Sequence, residues 1–357
     1  MTSQRLYLRP TGFVDAPFGH DDKVARLAGG LAFFAAIELI GDAGAELLGI
    51  EAFETRLPQL GAAAAESWAK LTARRAPLQL GQRTVRLDQP QVVGIVNATP
   101  DSFSGDGLAA DIGAASAAGH AMASAGAAIV DVGGESTRPG SKPVWEGDEA
   151  ERVVPVIRSL AAAGTAVSVD TRKATVMETA LAAGAALIND VSALTWDPRA
   201  AEVAAKAACP VVLMHHQGPP ETMQQNPRYG RPVLLEVYDW LGERIEAATA
   251  AGIARERIIV DPGFGFGKTV QHNLQLMNGL ALLHGLGCPM MIGASRKRTI
   301  GALAGEAPPE RRLAGSLAFA LKAAEQGVQL IRVHDVPETV QALRVWRGLR
   351  DAALSPS

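Results

Sequence analysis

The sequence predicts an α/β fold: a closed (β/α)8 TIM barrel preceded by a small N-terminal extension of mixed α/β character. From Gln91 onward, short β-rich runs alternate with alanine-rich helical segments. Eight such runs can be counted, at 92–96, 128–132, 166–169, 187–189, 211–214, 258–260, 290–292 and 330–333. Most are nearly continuous apolar stretches, as expected of parallel strands covered on both faces. Eight βα units in ~265 residues suit a closed barrel, for which ~250 is typical. A doubly wound open sheet permits the same alternation, but the count of eight favours the barrel.

Taken in order, residues 1–75 form the extension. Leu6-Tyr7-Leu8 reads as a short strand, 30–40 as a buried helix, and 62–74 as an amphipathic helix with Trp68 and Leu71 on one side. No chemical motif occurs there, so a packing or oligomerisation role is expected. Residues 76–357 are expected to form the barrel domain, opening with a β-hairpin. In it, Leu78-Gln79-Leu80 and Thr84-Val85-Arg86-Leu87 flank a Gly81-Gln82 turn. Helices of the outer ring are predicted at 114–125, 148–162, 175–183, 233–250 and 311–325.

At 357 residues the chain has room for one large α/β domain and an appendage around a substantial core. Its 48% hydrophobic and 20% charged content excludes a disordered chain. The net charge of −3, with basic residues scattered, lacks the footprint of a nucleic-acid binder. Cys209 and Cys288 each precede a proline at the start of an apolar run, and are expected to be inert core thiols in a reducing compartment. Arg5 and Arg9 near the start are not followed by a signal-type apolar core. The longest apolar stretch, 31–40, contains Glu38 and falls short of the ~20 residues that span a bilayer. A cytoplasmic enzyme without nucleic-acid or membrane partners is expected.

Barrel chemistry lies at the C-terminal strand ends. Those positions hold Asn97, the segment 131–138, Asp170, Asn189, Met214-His215, Asp261, Ser295-Arg296-Lys297, and Arg332 with His334. Loops favour polar residues in any case, so the weight rests on all eight strands ending this way. Asn97 with Asp101 suits a hard cation such as Mg²⁺, although composition alone favours an Asn/Asp turn. Arg138, in the loop after the second strand, offers a guanidinium fork for a carboxylate. Asp170, Asn189 and Asp261 suit the N–H-rich edge of a heterocycle, or helix N-caps, and Asp190 and Thr171 look more like caps. The stretch Asp261-Pro262-Gly263-Phe264-Gly265-Phe266-Gly267-Lys268 matches neither phosphate-loop spacing, and reads as a strand delivering an acid to a glycine-rich, aromatic-lined loop.

With these residues assembled, the sequence closely resembles the dihydropteroate synthases, from about Thr84 to Gly348. The motifs that carry the resemblance are Asn97-Ala98-Thr99-Pro100-Asp101-Ser102-Phe103-Ser104, Gly133-Gly134-Glu135-Ser136-Thr137-Arg138-Pro139-Gly140, Ser168-Val169-Asp170-Thr171, Ile188-Asn189-Asp190-Val191-Ser192, Leu213-Met214-His215, the Asp261 to Lys268 stretch, Ser295-Arg296-Lys297 and Arg332-Val333-His334-Asp335. The resemblance implies a barrel that joins p-aminobenzoate to 6-hydroxymethyl-7,8-dihydropterin pyrophosphate. It implies that Asp170, Asn189, Asp261 and Lys297 hold the pterin, with Met214 and Phe266 lining its slot. Asn97, Arg332 and His334 would bind the pyrophosphate, with Mg²⁺ at Asn97 and Asp101. Thr137, Arg138, Pro139, Gly265 and Ser295 would form the p-aminobenzoate site. The implied catalytic set is Asp101, Asp170, Lys297, Arg332 and His334, and a homodimer is the expected assembly.

Two departures from the family pattern stand out: Ser104-Gly105-Asp106-Gly107 in the first loop, where Asp-Gly-Gly more often follows the serine, and the extension itself. A related methyltetrahydrofolate:corrinoid methyltransferase would keep Asn97, Asp170 and Asn189 but needs neither Arg138 nor the Arg332 and His334 pair. A non-catalytic paralogue is expected to have lost loop residues that are present here.

Overall fold

The extension is built on strands, and this corrects one expectation. The structure, a computed structural model, describes residues 5–20, 23–99, 108–136, 143–218 and 222–354. In it β1 (Tyr7–Val14) pairs antiparallel with β3 (Phe33–Gly41), and β3 also carries β2 (Ala25–Arg26) and β4 (Gly44–Gly49). The stretch 30–40, expected as a buried helix, is therefore the central strand of a sheet. An apolar run of this length does not distinguish helix from strand by hydrophobicity alone. Phe33, Phe34, Ile37 and Ile40 favour the pleated form, and Phe34, Ile37 and Leu39 are buried in one small core. Helices α1 (Ile50–Leu60) and α2 (Ala62–Thr72) pack against it, Trp68 meeting Phe34 and Phe53 edge-on or tilted.

This small core includes Leu27, Phe53 and Leu71 and is sealed by Ala281 of the barrel. Polar side chains clamp the seam. The Tyr7 hydroxyl donates to Asp239 at 2.8 Å, and Arg350, nearly buried, donates to the carbonyls of Leu31 and Val14 at 3.0 and 3.2 Å. Arg75 donates to the carbonyl of His284 at 2.9 Å.

The hairpin β5 (Leu78–Leu80) and β6 (Arg83–Val85) comes next, turning at Gly81, which has φ +60°. Eight parallel strands follow: β7 (Gln91–Asn97), β8 (Ile129–Gly133), β9 (Val167–Asp170), β10 (Leu187–Asp190), β11 (Val211–Met214), β12 (Ile258–Asp261), β13 (Met291–Ile292) and β14 (Leu330–Val333). Their order runs β12-β11-β10-β9-β8-β7-β14-β13, and a parallel bridge between Val260 and Met290 brings the two ends together into a barrel. All eight expected runs are strands. The outer helices are α3 (Leu108–Ser124), α4 (Glu146–Ala162), α5 (Ala174–Ala182), α6 (Ala200–Ala207), α7 (Val233–Ala250), α8 (Val270–Gly279), α9 (Arg298–Leu303), α10 (Leu313–Glu325) and α11 (Val336–Ala353). No described helix is long and apolar enough to cross a membrane.

The hairpin decides which end of the barrel is polar. Leu78, Leu80, Val85 and Leu87 cluster with Val93, Ile129, Leu187, Val212, Ile259, Met291 and Leu330, the inward-facing residues near the N-terminal strand ends. This apolar plug fills the bottom of the barrel and leaves the polar side chains of the strand ends at the top.

Candidate active site

Side chains two residues apart on a strand share a face. Stepping up two positions from the plug places Asp131 above Ile129, Asn189 above Leu187, Met214 above Val212, Asp261 above Ile259 and Arg332 above Leu330. Ser168 and Asp170 rise in the same way above Ala166. Strand register aligns the groups: Asn97 pairs with Gly133, Gly133 with Asp170, Asp170 with Asn189, and Met214 with Asp261. The expected residues Asn97, Asp170, Asn189, Met214, Asp261, Arg332 and His334 thus gather at one mouth.

Arg332 organises its centre. Its Nε donates to Asp131 at 2.6 Å and its Nη2 to Asp170 at 2.6 Å, while the Asn189 amide donates to Asp131 at 3.0 Å. Burial pushes the Asp170 carboxyl up to about 7 against the pull of Arg332, with Asp131 adding repulsion. Burial opposes charge on Arg332 too, yet Asp131 and Asp170 hold its guanidinium above the ordinary value. Burial likewise raises Asp261, although Gly263 N–H donates to its carboxylate at 2.7 Å.

The glycine-rich loop after β12 closes one side. Gly263 has φ +66°, and a Cβ there would lie 1.7 Å from the carbonyl oxygen of His215; only glycine fits. Gly265, φ +83°, lies against the Lys297 side chain, whose ammonium donates to the Phe264 carbonyl and sits 4.2 Å from the Phe266 ring centroid. Burial lowers Lys297 to about 7, partly offset by Asp261. Lys268, by contrast, is buried beneath the loop, 2.8 Å from His215 Nδ1 and 3.0 Å from the Phe266 carbonyl, in a supporting position. Ser295 Oγ lies 3.1 Å from His334 Nδ1, joining the ends of the last two strands. Arg296 turns instead to Asp335.

Asp101, Thr137, Arg138 and Pro139, with Asp106, lie outside the described residues. The base of the second loop is nonetheless fixed. Glu135 accepts from Val144 N–H at 2.8 Å, from Lys173 at 2.6 Å and from Arg172 at 3.0 Å. Sequence reasoning passed over this buried ion network. It placed Asp131 at a strand end but gave it no role, although an acid inside the otherwise apolar run Ile129–Gly133 was the available signal. Asp190, expected as a helix cap, instead fixes the turn after β10, accepting from Ser192 and Leu194 N–H at 2.7 and 2.9 Å, and the next helix begins only at Ala200. Both thiols are free, and burial raises each to about 11, as inert cysteines require.

The family model described as pterin binding enzyme matches residues 93–334. The dihydropteroate synthase of Escherichia coli strain K12 is 47% identical over 260 residues, covering 72% of this chain and 91% of the relative. Among solved structures, Xanthomonas albilineans dihydropteroate synthase with 4-aminobenzoic acid is 47% identical. It covers 79% of this chain and 100% of its own, with a TM-score of 0.73. The same organism's enzyme in complex with 7,8-dihydropteroate is 46% identical, covering 78% and 100%, with a TM-score of 0.71.

Proposed function

This chain belongs to the dihydropteroate synthases, a family of pterin-binding enzymes, and on that premise we propose how its own residues divide the reaction. The enzyme is a transferase of folate biosynthesis. It condenses 6-hydroxymethyl-7,8-dihydropterin pyrophosphate with p-aminobenzoate, giving 7,8-dihydropteroate and pyrophosphate.

Asp261 and Asp170 accept from the N–H edge of the pterin, Asn189 completes that edge, and Lys297 donates to the ring from the Phe266 side. Met214 and Phe266 wall the slot. Arg332 and His334, with Asn97, take the pyrophosphate, and Ser295 and Gly265 face p-aminobenzoate together with Thr137, Arg138 and Pro139. What supports this reading is the convergence of acceptors, one half-buried lysine and one doubly anchored arginine above an apolar plug.

Breaking the C–O bond leaves negative charge on the leaving group and a cationic pterin methylene. Arg332 and His334 stabilise the first, and Asp170 and Asp101 stabilise the second. The p-aminobenzoate nitrogen then forms the C–N bond with its own lone pair and loses a proton, so no strong base is needed.

Asn97, half-buried at the mouth, offers a hard amide oxygen. Mg²⁺ suits such a donor, because it takes oxygen ligands and keeps waters and substrate phosphates as the others. We propose Asn97 and Asp101 as its protein ligands, where the ion would neutralise leaving-group charge.

The test is p-aminobenzoate-dependent pyrophosphate release from the pterin substrate with Mg²⁺. Release is expected, and its absence with well-folded protein would sink the reading. Lys297 adds a pH dependence. With its ammonium lowered to about 7, the charged donor is present below that value and lost above it. Pterin affinity measured by calorimetry should therefore fall between pH 7 and 9, and the fall should vanish in Lys297→Met. An equal fall in that variant would remove Lys297 from the pterin site.

We also infer a cytoplasmic homodimer. Exposed Val345 and Leu349 on α11 and the two free thiols support it, and light scattering at twice 37.2 kDa is the expected mark.

A further inference from the structure

We propose that Asp131 is a positioning residue for this reaction, aiming Asn189 at the pterin and Arg332 at the leaving group from a single carboxylate oxygen. The inference rests on the assignment of those two residues to pterin and pyrophosphate.

Asp131 is 1% exposed and lies one step above the apolar plug, in register with Ser168 on the next strand. Its Oδ2 accepts from both Asn189 Nδ2, at 3.0 Å, and Arg332 Nε, at 2.6 Å. An ionised carboxylate can only accept, so Asn189 must turn its NH2 group toward it. The amide oxygen then points elsewhere as an acceptor, which is what the N–H edge of a pterin requires. With a neutral amide at position 131, either orientation of Asn189 would be satisfied.

The same oxygen fixes the guanidinium. A planar group held at Nε by Asp131 and at Nη2 by Asp170 has two anchor points and cannot swing. Of its five N–H hydrogens, two are engaged with these carboxylates, and three remain on the edge away from Asp131 for an anionic group. Asp131 also shares the charge of Arg332, so that Asp170 is not its sole counter-ion.

This arrangement is costly, because Asp131 Oδ1 and Ser168 Oγ are buried without a hydrogen-bond partner among the described residues. A purely structural role would be served more cheaply by an apolar residue continuing the plug.

The experiment uses the full chain with Mg²⁺ and compares Asp131→Asn, Arg332→Ala and the double variant. Asp131→Asn is expected to lower kcat/KM for the pterin substrate by about 100-fold, with KM for p-aminobenzoate within about twofold of wild type. Pyrophosphate affinity should fall by about 10-fold in Asp131→Asn, but by less than about twofold when the same change is made in Arg332→Ala. Additive losses, or a uniform loss across both substrates, would overturn the proposal.

Should Asp131→Asn fail to fold, ¹⁵N-arginine-labelled wild-type protein carries the test. The Arg332 Nε–H signal, assigned by its disappearance in Arg332→Ala, is expected to be protected from exchange with and without pyrophosphate; rapid exchange in both states refutes the anchor. If Arg332→Ala leaves pyrophosphate affinity unchanged, the assignment of Arg332 fails, and Nε–H protection still decides whether Asp131 holds it.

Discussion

Arg332→Ala is expected to lower kcat by roughly 1,000-fold, the scale on which a pre-aimed charge donor stabilises a developing anion. Its effect on binding should be uneven. Pyrophosphate-bearing ligands should weaken far more than free pterin, because the proposed role of Arg332 is to donate its remaining N–H groups to the leaving group. The structure adds a second consequence. Removing the guanidinium leaves Asp131 and Asp170 as neighbouring buried carboxylates without their shared cation. Asp170, already raised to about 7 by burial, would then bind its proton to higher pH. Its carboxylate is the form that accepts from a pterin N–H, so the smaller loss of free-pterin affinity should shrink as pH rises. Calorimetry with pterin, with its pyrophosphate ester and with pyrophosphate alone separates the two effects. Asp261→Ala provides the contrast, since its loss should be the same with or without pyrophosphate. Equal losses for all three ligands in Arg332→Ala would refute its assignment.

Deleting residues 1–75 is the second large effect, and it should fall on stability rather than chemistry. The truncation removes Leu27, Phe53 and Leu71 from above Ala281, takes Tyr7 from Asp239, and strips Arg350 of its carbonyl acceptors. Uncovering Tyr238, which packs edge-on against Tyr7, and Ala281, together with the lost hydrogen bonds to Asp239 and from Arg350, gives a loss of roughly 5 kcal/mol. In a chain of this size that corresponds to a fall in Tm of roughly 10 °C. The seam lies on α7, α11 and the short 3-10 helix Leu280–Leu286, on the outer ring, whereas the groups proposed as catalytic stand at the strand ends of the barrel mouth. We therefore propose that the extension braces the barrel, and that kcat of the truncated protein at low temperature stays within about threefold of the full chain. A folded truncation with normal Tm would refute the brace. A folded, inactive one would show that the extension shapes the site.

Much of this was legible in the sequence because barrels impose a simple code. Parallel strands covered on both faces must be apolar, so the eight runs stood out, and the polar residues that end them had to face the mouth. Local rules also gave the hairpin at Gly81 and the inert thiols. Residues 30–40 were not legible. A short apolar segment satisfies helix and strand alike, and only pairing with Tyr7–Val14 and Gly44–Gly49 resolved it into a strand.

The division within the site follows the same physics. Which residues reach the mouth was determined by the sequence alone, through strand period and chain order: Asn97, Asp170, Asn189, Met214, Asp261, Lys297, Arg332 and His334. How they are held was decided only in three dimensions. Asp131 and Arg332 are 201 positions apart, as are many pairs that never meet, and no local pattern states that one carboxylate oxygen anchors both Asn189 and Arg332. Glu135 with Lys173, and Arg350 with the extension, are cases of the same kind. Propensity and periodicity act over a few residues, whereas a shared hydrogen bond depends on barrel closure, which sums the geometry of the whole chain.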